Sequence, residues 1–124
     1  MNRIIAIETD KINVKAEIND TKTADIIWQA LPIQSTVNTW GEEIYFSIPV
    51  NAEPENGREV VEAGDIGYWP PGKAFCIFFG LTPASKSDEI RAASPVNIFG
   101  KVIGDARVFS AVKNGEPISI DKVK

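Results

Sequence analysis

The sequence predicts a mainly β domain, with eight or nine short strands and two short helices closed into a barrel. Three observations lead there. Short apolar/polar alternating segments recur along the chain, separated by Gly, Pro, Asn and Asp, which is the pattern of small all-β domains. The stretch Gly64–Gly80, GDIGYWPPGKAFCIFFG, reads as a hairpin around which the rest is arranged. Its second strand, Ala74–Phe79, is apolar at every position, so it needs cover on both faces. A barrel provides that cover, with one face filling the interior and the other lying under a helix.

The elements follow in order. Ile4–Glu8 and Ile12–Ile18 are strands joined by Thr9-Asp10-Lys11; Ile12, Val14, Ala16 and Ile18 fall on one face and Asn13, Lys15 and Glu17 on the other. Asn19-Asp20-Thr21 offers helix N-cap side chains. Ala24, Ile27, Trp28 and Leu31 then form one apolar stripe at helical spacing, with Trp28 as a core anchor, and Pro32 ends the helix. Ile33–Trp40 and Glu43–Val50 form a hairpin with Gly41 at the first loop position of a two-residue type II′ turn. That turn sets Trp40 opposite Glu43, Asn38 opposite Tyr45 and Thr36 opposite Ser47. Val37, Ile44, Phe46, Ile48 and Val50 then share one face, and Thr36, Asn38, Trp40, Glu43, Tyr45 and Ser47 the other.

After a polar loop, Asn51–Arg58, a short strand Glu59–Glu62 precedes the central hairpin. In that hairpin Asp65–Trp69 is the first strand. Pro70-Pro71-Gly72-Lys73 is the turn, with Pro71 at its first central position and Gly72 taking positive φ at the second. Burial of Phe75, Ile77, Phe78 and Phe79 is worth roughly 1.5–3 kcal/mol each. Leu81–Pro95 is the longest irregular stretch, a candidate functional loop. Val96–Ile103 is a strand, Ala106–Val112 a short helix closed by Asn114-Gly115, and Ile118–Asp121 the last strand.

Length and composition bound the function. With 124 residues the chain is expected to form one domain. A net charge of −4 without a Lys/Arg cluster argues against nucleic acid as a partner. The chain has no histidine, which excludes Ser-His-Asp and Cys-His catalysis and His-ligated metals. The single cysteine, Cys76, allows no intramolecular disulfide or Cys-rich zinc site; inside AFCIFF it reads as an inert core thiol, in keeping with a reducing compartment. Only four consecutive apolar residues occur near the N-terminus, so neither a signal peptide nor a membrane span is expected and the cytoplasm is the expected location. No cofactor or metal site is expected, and the pairs Glu42-Glu43 and Asp88-Glu89 read as surface charge, since strand neighbours point to opposite faces.

Lys22-Thr23-Ala24 with Leu31, the run Asn97-Ile98-Phe99-Gly100-Lys101-Val102-Ile103-Gly104, and the element order together resemble cyclophilins. The run Gly64-Asp65-Ile66-Gly67-Tyr68-Trp69-Pro70-Pro71-Gly72 is similar to a signature of short, atypical prokaryotic cyclophilin-like proteins of uncharacterised function. The resemblance spans nearly the whole chain. It implies a closed eight-stranded cyclophilin-like β-barrel capped by two short helices. The departures concern the prolyl-isomerase site. The strand Thr36–Trp40 has no arginine, Ile44-Tyr45-Phe46-Ser47 replaces the Phe/Met/Gln motif, the histidine is absent, and Leu81–Pro95 carries no tryptophan.

The expected function is therefore a binding barrel for a peptide or small polar ligand, not a conventional prolyl isomerase. The groove candidates are Asn38, Trp40, Tyr45 and Ser47 beside Tyr68, Trp69 and Phe75, where the resemblance places the peptide groove. No catalytic residue is assigned. The alternatives are a weak isomerase, with Arg58 or Arg91 swinging in, and a subunit of a multi-component enzyme that needs a protein partner.

Overall fold

A computed structural model describes residues 3–123. The first hairpin pairs β1 (Arg3–Glu8) with β2 (Asn13–Ile18), Ile5 opposite Ala16 and Ile7 opposite Val14. Alternation then buries Ile5, Ile7, Ala16 and Ile18 together. Helix α1 (Lys22–Ala30) starts at Thr21, whose hydroxyl accepts from the Ala24 amide. Its Ala24 and Ile27 are fully buried. Trp28, expected as a core anchor, is only half-buried, and Arg3 and Lys122 lie 5.7 and 5.1 Å from its ring centre.

The expected strand Ile33–Trp40 is split. β3 (Ile33–Thr36) pairs with the last strand, whereas β4 (Asn38–Thr39) pairs with β5 (Glu43–Ser47). Between them the Val37 amide donates to Glu116 O and the Val37 carbonyl accepts from Gly115 N, so this residue serves the loop before the last strand. The hairpin register is Asn38 opposite Tyr45, and Gly41 has φ of 61°. Val37, Ile44, Phe46, Ile48 and Val50 are all buried.

β6 (Arg58–Val61), β7 (Asp65–Trp69) and β8 (Ala74–Phe78) follow. A 3-10 turn, Pro70–Gly72, joins the last two, and the positive φ falls on Lys73 (47°) instead of Gly72. Gly72 is required for space: a Cβ there would lie 2.8 Å from two carbons of the Trp69 ring. β9 (Ile90–Val102) is much longer than expected, because the second part of the presumed loop is extended and includes Pro95. Its first half pairs with β6, and its second half with β7 and β2. A 3-10 helix (Ala106–Ala111), capped by Asp105, precedes β10 (Pro117–Lys122).

The ten-stranded sheet runs β3-β10-β1-β2-β9-β7-β8-β5-β4, with β6 paired to β9 off this path. The closed barrel expected from the sequence is not obtained as an unbroken ring of ladder hydrogen bonds. The two ends of the path, β3 and β4, are consecutive in the chain, separated by Val37 alone, and do not pair with each other. Among the described residues the fold is thus a mainly β shell with one α-helix and two short 3-10 helices.

Two clusters hold it together. The inner one gathers Phe46, Tyr68, Phe75, Phe99 and Phe109 with aliphatic residues from most strands and α1. Phe75 stacks on Phe46 at 4.9 Å and meets Phe99 edge-on at 5.1 Å. The outer cluster, built on Val61, Ala74, Cys76, Phe78, Ala92 and Val96, covers the other face of β8. That face was expected beneath a helix, but the β6–β9 arm covers it. Gly67 permits the close approach, since a Cβ there would lie 3.0 Å from a Val96 methyl.

A partly buried polar network ties α1 to the loop before β6. The Glu55 carboxylate accepts from the Lys22 and Thr23 amides (3.1 and 3.0 Å) and from the Thr23 hydroxyl (2.7 Å), and these bonds hold its pKa below the usual carboxylate value. Asn97, 2% exposed, donates to Thr23 Oγ1 and Glu53 O and accepts from the Glu55 amide. Asn97→Ala removes all three of these hydrogen bonds at a buried position. It is expected to lower unfolding free energy by about 2–3 kcal/mol, read from urea denaturation midpoints.

Candidate functional site

Strand alternation places Glu43 and Tyr45 of β5, Cys76 of β8 and Trp69 of β7 on the outer face of the sheet. Tyr45 is directly opposite Cys76, and Trp69 is opposite Ala74. The β6–β9 arm lies over this surface without sealing it. A cavity of about 210 Å3 remains, lined by Trp40, Glu43, Tyr45, Trp69, Cys76 and the arm residues Ala92, Ala93 and Val96. The arm leaves room there because two of its three lining side chains are single methyl groups.

Each wall is fixed by a separate contact. The Trp69 indole N–H donates to Ser94 Oγ on the arm at 2.6 Å, and Gly72 lies against the same ring. Trp40 is held by the β4–β5 turn, its amide donating to Glu43 O. The base of the arm is tied down by Thr82, whose hydroxyl donates to Arg91 O.

Glu43 is the unusual member. It is 5% exposed, and it forms no salt bridge among the described residues. Its polar neighbour is the Cys76 thiol. Burial among aromatic and aliphatic groups raises its pKa to about 7, with the neighbouring Cys76 thiol acting the other way. Desolvation, then the Glu43 charge, pushes the Cys76 thiol well above its ordinary value. Cys76 is therefore a neutral thiol at physiological pH and a poor nucleophile. The site combines a carboxyl group that titrates near neutrality with three aromatic rings and an unreactive thiol.

Of the residues anticipated from sequence, Trp40, Tyr45 and Trp69 come together at this cavity. Asn38 and Ser47 are exposed and outside its lining; Asn38 Nδ2 donates to Tyr45 O, and Ser47 O accepts from Ser35 Oγ. Tyr68 and Phe75 point the opposite way, into the inner cluster, as 1% and 0% exposed core groups. The Tyr68 hydroxyl donates to Val50 O at 2.6 Å. Glu43, expected as surface charge, is instead buried at this site. Its register opposite Trp40 was the signal that it shares the aromatic face. Arg91 does not enter the site, being held by Glu89 at 2.6 Å and Glu59 at 3.2 Å. No group of three or more metal-ligating side chains occurs among the described residues. No helix among them is long and apolar enough to cross a membrane.

The element order, a hairpin and helix followed by a strand-rich shell with a late 3-10 helix before the last strand, defines a cyclophilin-type scaffold. The profile of the family described as cyclophilin-like matches residues 3–121, and the chain belongs to that family. A hypothetical protein from Archaeoglobus fulgidus, known as a solution structure, is similar in fold with a TM-score of 0.83. It shares 39% identity, over 98% of this chain and 95% of that one. No curated protein matches the chain at a significant level.

The Glu43 environment has a measurable consequence. The unfolded chain releases this proton near the ordinary value of 4.5, the folded chain near 7. Between those values the folded state binds more protons, so the Glu43 contribution to stability falls as pH rises through that window. At about 1.4 kcal/mol per unit the full effect is at most roughly 3.5 kcal/mol, less where the cavity mouth admits water. Unfolding free energies of the wild type and Glu43→Gln, measured from pH 4.5 to 8, are expected to diverge in favour of the variant by that amount. Parallel curves would contradict the buried, unpaired carboxyl.

Proposed function

We propose that this protein is a binding protein whose ligand, a small polar molecule or a peptide side chain, enters the cavity between the sheet and the β6–β9 arm. One observation carries the reading: an almost fully buried carboxyl group without a charged partner, facing a cavity walled by Trp40, Tyr45 and Trp69. Burying such a group is unfavourable unless something compensates it. Ligand sites have this composition, mostly apolar walls with a few placed polar groups. At about 210 Å3 the cavity is below the roughly 300–1,000 Å3 of pockets for drug-sized molecules, so it suits a group of a few heavy atoms.

Prolyl isomerase activity gains no support from the site, because its lining has no guanidinium to bond the substrate carbonyl. Membership of the family supports the scaffold and leaves the chemistry to the site itself.

Titration of 15N-labelled protein with a library of small polar fragments and capped dipeptides tests this. Binders are expected to shift the signals of Trp40, Glu43, Tyr45, Trp69 and Ala92. Gly72→Ala, which displaces the Trp69 ring, should weaken them about tenfold while leaving the inner-core signals in place. A library without binders at this cavity, or binders that shift residues elsewhere, would overturn the reading.

A further inference from the structure

We propose that the cavity takes an alkylammonium group, seated against the Glu43 carboxylate and enclosed by the faces of Trp40, Tyr45 and Trp69. This rests on the binding reading above and names the ligand chemistry for the same cavity. Three observations converge on a cation. Glu43 is 95% removed from solvent and lines the cavity with no Lys or Arg among the lining residues. The surrounding rings are two indoles and a phenol, whose negative faces attract cations, most strongly when the cation is desolvated. The Trp69 indole N–H is bonded to Ser94 Oγ, which holds that ring in place at the edge of the cavity.

Size and charge shape favour ammonium over guanidinium. A guanidinium is planar and matches a carboxylate through a two-pronged fork, whereas an ammonium is a compact point charge on a flexible apolar stem. The cavity, about 210 Å3, offers one carboxyl and mostly apolar walls for the stem. The titratable groups facing Glu43 from the lining elements are Cys76 on β8 and Tyr45 on β5; the arm contributes only Ala92, Ala93 and Val96. An arriving cation would therefore act on the Glu43 proton almost alone, expelling it at neutral pH and below.

The test uses n-butylammonium and its near-isosteric neutral counterpart n-butanol, each titrated into the wild-type chain at pH 8 and followed by indole NMR signals. The expected result is saturable binding of n-butylammonium, at least tenfold tighter than n-butanol. The preference should shrink as pH falls below 7. Calorimetry at pH 6.5 in buffers of different ionisation enthalpy should show proton release with binding, which needs no variant. Glu43→Gln, checked for a dispersed spectrum, should abolish the preference for the amine. An N-acetyl-lysine methylamide arm distinguishes a lysine side chain, if it binds more tightly than n-butylammonium, from a free amine, if it does not. Equal binding of amine and alcohol, with no proton release, would overturn the cation assignment and leave the binding reading standing. Binding of neither, nor of any neutral fragment, would overturn both.

Discussion

A strand with no solvent face imposes the main constraint on this molecule. β8, AFCIF, is buried along its whole length, so both of its faces need apolar cover. Phe75 and Ile77 obtain it from the inner cluster, against Phe46, Phe99 and the strands around them. Ala74, Cys76 and Phe78 need a second layer outside the sheet. The first half of β9 supplies it by leaving the main ladder and pairing with β6 instead. The length of β9, the bulges in its pairing with β6 and β7, and the absence of a side chain at Gly67 all follow from this need to cross the outer face.

The cavity is what this cover leaves open. Ala92 and Ala93 are too small to fill the space in front of Glu43, and Trp40, Tyr45 and Trp69 surround the gap without closing it. The Glu43 carboxyl is thus a polar group placed where the packing of the shell offers it no charged partner among the described residues. Such departures from apolar consistency are where function is most often found.

Much of the shell was legible in the residues. The alternation of Ile44, Phe46, Ile48 and Val50, with Gly41 at the turn, yields the β4–β5 register because a one-residue slip would expose all four. The unbroken apolar run of β8 announced two covered faces. The nature of the outer cover was not legible: Pro95 and the polar residues at 85–89 read as loop, and only pairing with β6, distant in sequence, makes residues 90–96 a strand. The site was half visible for a related reason. Tyr68 and Trp69 look like one aromatic pair, yet neighbours in a strand face opposite ways, so one belongs to the core and the other to the cavity. The burial of Glu43 could not be read from β5 alone, since the arm that shields it comes from about fifty residues further along the chain.

The Glu55 carboxylate bears on how the molecule opens. Isolated helices of nine residues are marginal in water, and α1 obtains part of its N-terminal hydrogen bonding from a loop more than thirty positions away. Asn97 joins both to the middle of the longest strand. Helix start, loop and strand are therefore coupled through one set of hydrogen bonds, so that opening any one of them breaks bonds of the other two.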